Sequence, residues 1–247
     1  MTHDEDCDEL AREIDRYVDA LASVNVTTPV PSCPDWTVVD LTEHLGTVHR
    51  WATRLVNERS STRIPWAGLT EDGDIFDASW LQEGGRALVA ALRAANPEDE
   101  MWAWGTDQHV RFWSRRQLHE TFVHRLDLEL ASGATSYIDP AVALDAIDEF
   151  LANMKADRDI SPRARAGRGT ELLRIRSTEP AGSWSVRLSN DSYDFVDPVE
   201  ESDAELSGPS HEVLMVILRR RDLAGSNVTV SGDRSLVEYW LAQTAFL

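Results

Sequence analysis

The apolar period of this chain changes once, at Asp139-Pro140, and that change decides the architecture. Before it, apolar side chains recur every three or four residues, the spacing of a helix face; after it, stretches alternate with period two, the spacing of a strand. Leu10, Ile14, Tyr17, Val18 and Leu21 predict a first helix. The run Thr28-Pro29-Val30-Pro31-Ser32-Cys33-Pro34-Asp35 cannot continue it, because proline removes a donor and biases its predecessor away from helix. Thr37 with Asp40 has the form of a capping box, Asp standing where Glu or Gln is usual. It opens a second helix over 38–57 with the stripe Val38, Leu41, Leu45, Val48, Ala52 and Leu55. A third helix covers roughly 77–95, and its Gly84-Gly85 pair predicts a kink or a close helix contact. A fourth runs over roughly 113–131 and stops at Ser132-Gly133. Four such amphipathic helices predict a four-helix bundle.

Beyond Asp139-Pro140 a helix over 141–156 is followed by an arginine- and glycine-bearing loop, 157–170. Leu173, Ile175 and Ser177 then alternate with Leu172, Arg174 and Arg176, and Trp184, Val186 and Leu188 with Ser185, Arg187 and Ser189; Glu179-Pro180-Ala181-Gly182 between them reads as a hairpin turn. A short helix is expected over 209–221, a strand at Val228-Thr229-Val230 and a closing helix over 235–244. The expected architecture is therefore an all-α four-helix bundle, residues 1–139, followed by a smaller α+β domain, residues 140–247.

The charge excludes some functions. Forty-three Asp and Glu against 24 Lys and Arg leave −19, unsuited to gripping nucleic-acid phosphates or an anionic membrane. No stretch approaches the ~20 apolar residues that span a bilayer, and the opening ten residues are acidic, the reverse of a secretory signal. Cys7 and Cys33 form no CxxC; two reduced thiols in a cytoplasmic protein are expected, and Cys33 is a candidate nucleophile. No nucleic acid or membrane partner is expected, and a monomer or small homo-oligomer is.

Helix geometry sorts the histidines. At ~100° per residue, Glu120 and His124 lie about 40° apart and one turn apart, so they face the same way. Gln117 and Asp127 extend the stripe. His119-Glu120 does not begin an HExxH motif, since position 123 is Val. His44 on the second helix supplies a third ligand across the bundle. Two His and one carboxylate are a usual catalytic zinc set, shared with non-haem iron. A Glu-x-x-x-His pair also serves as an ordinary surface pair or hydrogen-bonded core pair. Asp127, one turn past His124, either orients that imidazole from behind or pairs with Arg125. His119 reads as solvated or as standing behind a ligand, and His3, His109 and His211 as surface residues. Trp51, two turns past His44, is expected to line a substrate space, although most of the tryptophans read as core filling.

The stretch Pro34-Asp35-Trp36-Thr37-Val38-Val39-Asp40-Leu41-Thr42-Glu43-His44-Leu45-Gly46, with His49-Arg50-Trp51 after it, resembles the opening signature of the mycothiol-dependent maleylpyruvate isomerase family. His119-Glu120-Thr121-Phe122-Val123-His124-Arg125-Leu126-Asp127 is similar to its second signature. The resemblance implies a DinB-like metal-binding bundle with ligands at His44, Glu120 and His124, and a sterol carrier protein-like C-terminal domain. Arg221 matches the family's substrate-facing arginine, with Arg219 and Arg220 as neighbours, although the family usually has Gly-Arg where this chain has Arg219-Arg220-Arg221. An arginine there also closes a helix C-terminus.

What the resemblance implies is a divalent ion, zinc by its ligands, and mycothiol or a similar small thiol bound as thiolate. The thiolate adds to a conjugated cis double bond, the bond rotates, and elimination returns the trans isomer. Arg221 is implied as the catalytic arginine holding a substrate carboxylate, with Arg220 beside it. Three other readings stay open: a thiol S-transferase on electrophiles, a non-catalytic small-ligand-binding or regulatory protein, and a metal-dependent hydrolase.

Overall fold

The computed structural model describes residues 1–71, 73–156, 169–190, 193–198 and 201–244. It divides into two compact units, Met1–Ser136 and Tyr137–Leu247. Residues 157–168 of the expected arginine- and glycine-bearing loop lie outside the described residues.

The first unit is four helices: α1 (His3–Leu21), α2 (Val38–Glu58), α3 (Ala78–Ala94) and α4 (Val110–Ser132). Thr2 and Glu5 form a capping box at the start of α1, and Thr37 and Asp40 form one at α2, the Thr37 N–H donating to Asp40 Oδ2 at 2.8 Å. α4 ends on Gly133 at φ 71°, a left-handed conformation that glycine adopts without Cβ strain. α1 packs on α3 and α4, and α2 on the same pair. Leu10, Leu41, Leu45, Leu55, Leu88, Leu118 and Phe122 are fully buried. The Gly84-Gly85 pair lies inside a continuous α3 and marks a close helix contact: a Cβ on Gly85 would come within 2.8 Å of Ile14, and one on Gly84 would meet the Arg50 guanidinium.

One buried ion network joins α1 to α4. Arg125, 1% exposed, donates to Glu13 Oε2 at 2.5 Å and to Glu129 Oε2 at 2.7 Å. Glu13 also pairs with Arg16. Arg125 thus ties a glutamate of α1 to one of α4.

The second unit holds α5 (Pro140–Ala156), β1 (Leu172–Thr178), β2 (Ala181–Leu188), β3 (Tyr193–Val196), β4 (Ala204–Gly208), α6 (Ser210–Ile217), β5 (Thr229–Gly232) and α7 (Arg234–Gln243). The sheet order is β3-β2-β1-β4-β5. β1 and β2 form the expected hairpin, Ile175 opposite Trp184; β1 and β4 run parallel, Ile175 opposite Leu206. The helix expected over 209–221 is shorter. α6 stops at Ile217, Arg219 is left-handed at φ 63°, and the Arg220 and Arg221 N–H groups both return to Met215 O. Gly232-Asp233 makes the turn into α7, with Asp233 capping the Ser235 N–H at 2.9 Å. Among the described residues no helix is long and apolar enough to cross a membrane.

Candidate metal centre

Residues on two helices of the first unit bring the site together. His44 comes from α2; Glu120 and His124 come from one face of α4, one turn apart. Both imidazoles approach the same carboxylate oxygen: His44 Nε2 is 3.4 Å and His124 Nε2 3.2 Å from Glu120 Oε1. One donor atom from each of the three lies within 4.8 Å of the others. The His44 and His124 rings meet edge-on, centroids 5.1 Å apart. His124 is 12%, Glu120 22% and His44 33% exposed, so the cluster opens to solvent on the His44 side.

The surrounding groups fix these donors. Arg116, one turn before Glu120, donates to Oε2 at 2.6 Å and leaves Oε1 to the imidazoles. The His124 Nδ1–H donates to Asp127 Oδ2 at 3.0 Å and its Nε2–H to Glu120 Oε1, so Nε2 is the nitrogen that would exchange its proton for a metal ion. Asp127, 0% exposed, is held in turn by Ser32 Oγ, which donates to Oδ1 at 2.5 Å, and by the Cys33 thiol at 3.8 Å. Ser32 and Cys33 sit in the proline-rich connection, closed by the Val30 N–H on Trp36 O and by Asp35 at φ 71°. Cys33, His124 and Asp127 therefore form a second group of close donors.

The field at this point favours positive charge. Burial raises the Glu120 pKa, but Arg116 and hydrogen bonds from His124 and His44 outweigh it and hold the carboxyl well below its usual range. Burial lowers the His124 pKa, but Asp127 and Glu120 overcome it and push the imidazole up to about 9. A position that so stabilises a proton between two carboxylates suits a divalent cation equally well. The donor set, two imidazoles and a carboxylate backed by a buried Asp, fits zinc in ligand type and in its supporting shell.

Below the cluster, His49 is fully buried. Thr121 Oγ1 donates to Gln117 O at 2.8 Å and so accepts from the His49 Nε2–H at 2.9 Å. Burial depresses the His49 pKa to about 3 and keeps the ring neutral. Its Nδ1 has no hydrogen-bond partner among the described residues.

The remaining expectations fall as follows. Trp51 is buried at 5% exposure, its indole N–H donating to Ile64 O at 2.9 Å. The tryptophans beside His44 are Trp36, at 4.9 Å between centroids, and Trp66, at 6.4 Å. Arg221 lies past the end of α6 and pairs through Nη1 with Glu212 at 2.6 Å; Arg220 Nη1 donates to Leu218 O at 2.8 Å. His119 is buried, 2% exposed, rather than solvated. His3 is half-buried and bridges Ser114 Oγ and Leu92 O. The anchoring role of Arg116 was available from its i,i+4 spacing to Glu120. Ser32 and Trp66 sit in irregular segments and gave no periodic signal.

Comparison with known proteins follows the same division. The model of the mycothiol maleylpyruvate isomerase N-terminal domain matches residues 7–129, and that of the MDMPI C-terminal domain matches residues 141–238. Among solved structures, a mycothiol-dependent maleylpyruvate isomerase superposes with a TM-score of 0.63 at 14% identity, over 94% of this chain and 93% of that one. A histidine-to-alanine mutant with the same description gives 0.64 at 13% identity, over 93% of each chain. At these identities the likeness is one of fold. No curated protein matches the chain.

Proposed function

The chain belongs to the mycothiol maleylpyruvate isomerase family, and from that premise we propose a metal- and low-molecular-weight-thiol-dependent isomerase acting on a conjugated cis double bond. The observation that carries the reading is the meeting of His44, Glu120 and His124, donor atoms within 4.8 Å, with Asp127 behind His124. These three would hold one divalent ion, zinc by donor type. When bound, the ion lowers the pKa of a small thiol, mycothiol by family, and so supplies the thiolate for addition across the double bond.

The chain's own residues prepare that chemistry. Arg116 fixes the Glu120 rotamer, and Asp127 fixes the tautomer and tilt of His124. Trp36 and Trp66 flank His44 where the cluster opens to solvent. Trp51 backs Trp66 at 5.3 Å. We take residues 1–139 as the metal-binding domain and 140–247 as the second. In the second, Arg221 is the arginine assigned to a substrate carboxylate, with Arg220 beside it. Glu212 engages one guanidinium nitrogen of Arg221, and a guanidinium fork has further N–H donors to offer. Two cysteines that form no disulfide suit a reducing cytoplasm.

The test is turnover of maleylpyruvate by zinc-loaded protein with and without mycothiol. The reading expects isomerisation that needs thiol and does not consume it. Thiol consumed in step with product would mark an S-transferase. Turnover without thiol would mark a hydrolase, and stoichiometric binding without turnover a binding protein.

A further inference from the structure

A column of near-parallel indoles ends beside His44. Trp104 stacks on Trp51 with ring centroids 6.4 Å apart and planes 14° apart; Trp51 stacks on Trp66 at 5.3 Å and 8°. Trp66 in turn faces the His44 imidazole at 6.4 Å and 24°. The inner part of the column is core: Trp51 is 5% exposed and tied by its N–H to Ile64 O. Its outer end is not. Trp66 is 39% exposed, one of few large apolar side chains so placed among the described residues. Trp36 meets the same imidazole at 4.9 Å, tilted by 51°.

The Trp66 indole is partly exposed and not sunk in the core. Here it is held by stacked rings and stands next to a metal ligand, so the surface is flat, apolar and pre-organised. The guanidinium at this point, Arg116, is already engaged by Glu120. A small acyclic dianion would gain little from such a wall. A planar ring would gain both buried area and the stacking contribution of an aromatic pair.

We propose that Trp66, with Trp36, forms the specificity-determining wall of the site and selects electrophiles that carry a planar aromatic or conjugated ring beside the reactive double bond. The inference rests on the metal- and thiol-dependent reading for its chemistry, but the ring preference can be measured apart from turnover.

The first arm is calorimetric binding of 2-naphthoate and of fumarate to zinc-loaded protein. Wild type binds naphthoate; Trp66→Ala weakens it about tenfold, and Trp66→Phe restores it to within about threefold, as expected for loss and return of one stacked ring. Fumarate binding is unaffected, and zinc content equal to wild type shows that the variants are folded. Absence of naphthoate binding to wild type, or an equal effect on both ligands, overturns the proposal. The second arm compares cis-3-benzoylacrylate with maleylpyruvate in the thiol-dependent assay. Trp66→Ala lowers kcat/KM for the aryl substrate about tenfold more than it lowers kcat/KM for maleylpyruvate. If neither substrate turns over while naphthoate binding still depends on Trp66, the isomerase reading falls and the wall stands. If turnover is present but indifferent to Trp66, the wall falls and the isomerase reading stands.

Discussion

Asp127 stands directly behind His124, its Oδ2 3.0 Å from Nδ1, and is itself fully buried and held by Ser32. That hydrogen bond keeps Nδ1 protonated, so Nε2 is the nitrogen left to give up its proton to a metal ion. Replacing Asp127 with Asn leaves the size and removes the charge. The expected outcome is a loss of roughly 10–100-fold in zinc affinity, the usual cost of losing such a supporting carboxylate. Competition against a chelator of known affinity measures it; an affinity within about twofold of wild type would show that Asp127 is not supporting the ligand.

The Glu13–Arg125 pair is the electrostatic link between α1 and α4, with both side chains 2% exposed at 2.5 Å. Glu13→Ala leaves a buried guanidinium with one carboxylate fewer. Removing one partner of a buried pair costs roughly 3–5 kcal/mol, and Glu129 on Arg125 pulls the expectation to the lower end. Urea unfolding reads the change directly. A loss under about 1 kcal/mol would mean that the network is exchangeable with water.

His49 makes stability depend on pH with a definite sign. Its folded pKa is depressed to about 3, below the ordinary 6.5, so the unfolded chain takes up a proton that the folded chain refuses. The stabilisation is fully present above about pH 6.5 and is lost as pH falls from there toward 3, at up to about 1.4 kcal/mol per pH unit for one proton. His49→Gln keeps a donor for Thr121 but has no titrating group. Unfolding of metal-free protein at a series of pH values should show a shallower acid slope in the variant. Parallel slopes would place the ring's proton elsewhere.

Much of this was legible in the sequence, for physical reasons that differ from place to place. A helix repeats every 3.6 residues, so Glu120 and His124 had to share a face, and the apolar stripe of α2 had to turn inward. The capping box at Thr37 located the start of α2 to the residue. Sorting the seven histidines left His44 as the third ligand, and the family resemblance fell on the same residue. What was not legible lacks periodicity. The proline-rich connection carries Ser32, Cys33 and Trp36 to the site through turns that no spacing rule encodes. Trp66 lies in a loop, and Trp51, the better-spaced ring, lies in the core. β4 is only five residues, Ala204–Gly208, too short for the alternation of Ala204, Leu206 and Gly208 with Glu205 and Ser207 to stand out. The 209–221 helix was drawn too long because its arginines look helical in composition; the left-handed Arg219 ends it.

The central claim is that His44, Glu120 and His124 hold one divalent ion, and elemental mass spectrometry of the purified protein beside His124→Ala tests it most directly. The account predicts about one zinc-type ion per chain in wild type, or on adding zinc to a stripped sample, and loss of most of it in the variant. Wild-type protein that stays empty with zinc in excess, or a variant that binds as well as wild type, would contradict it.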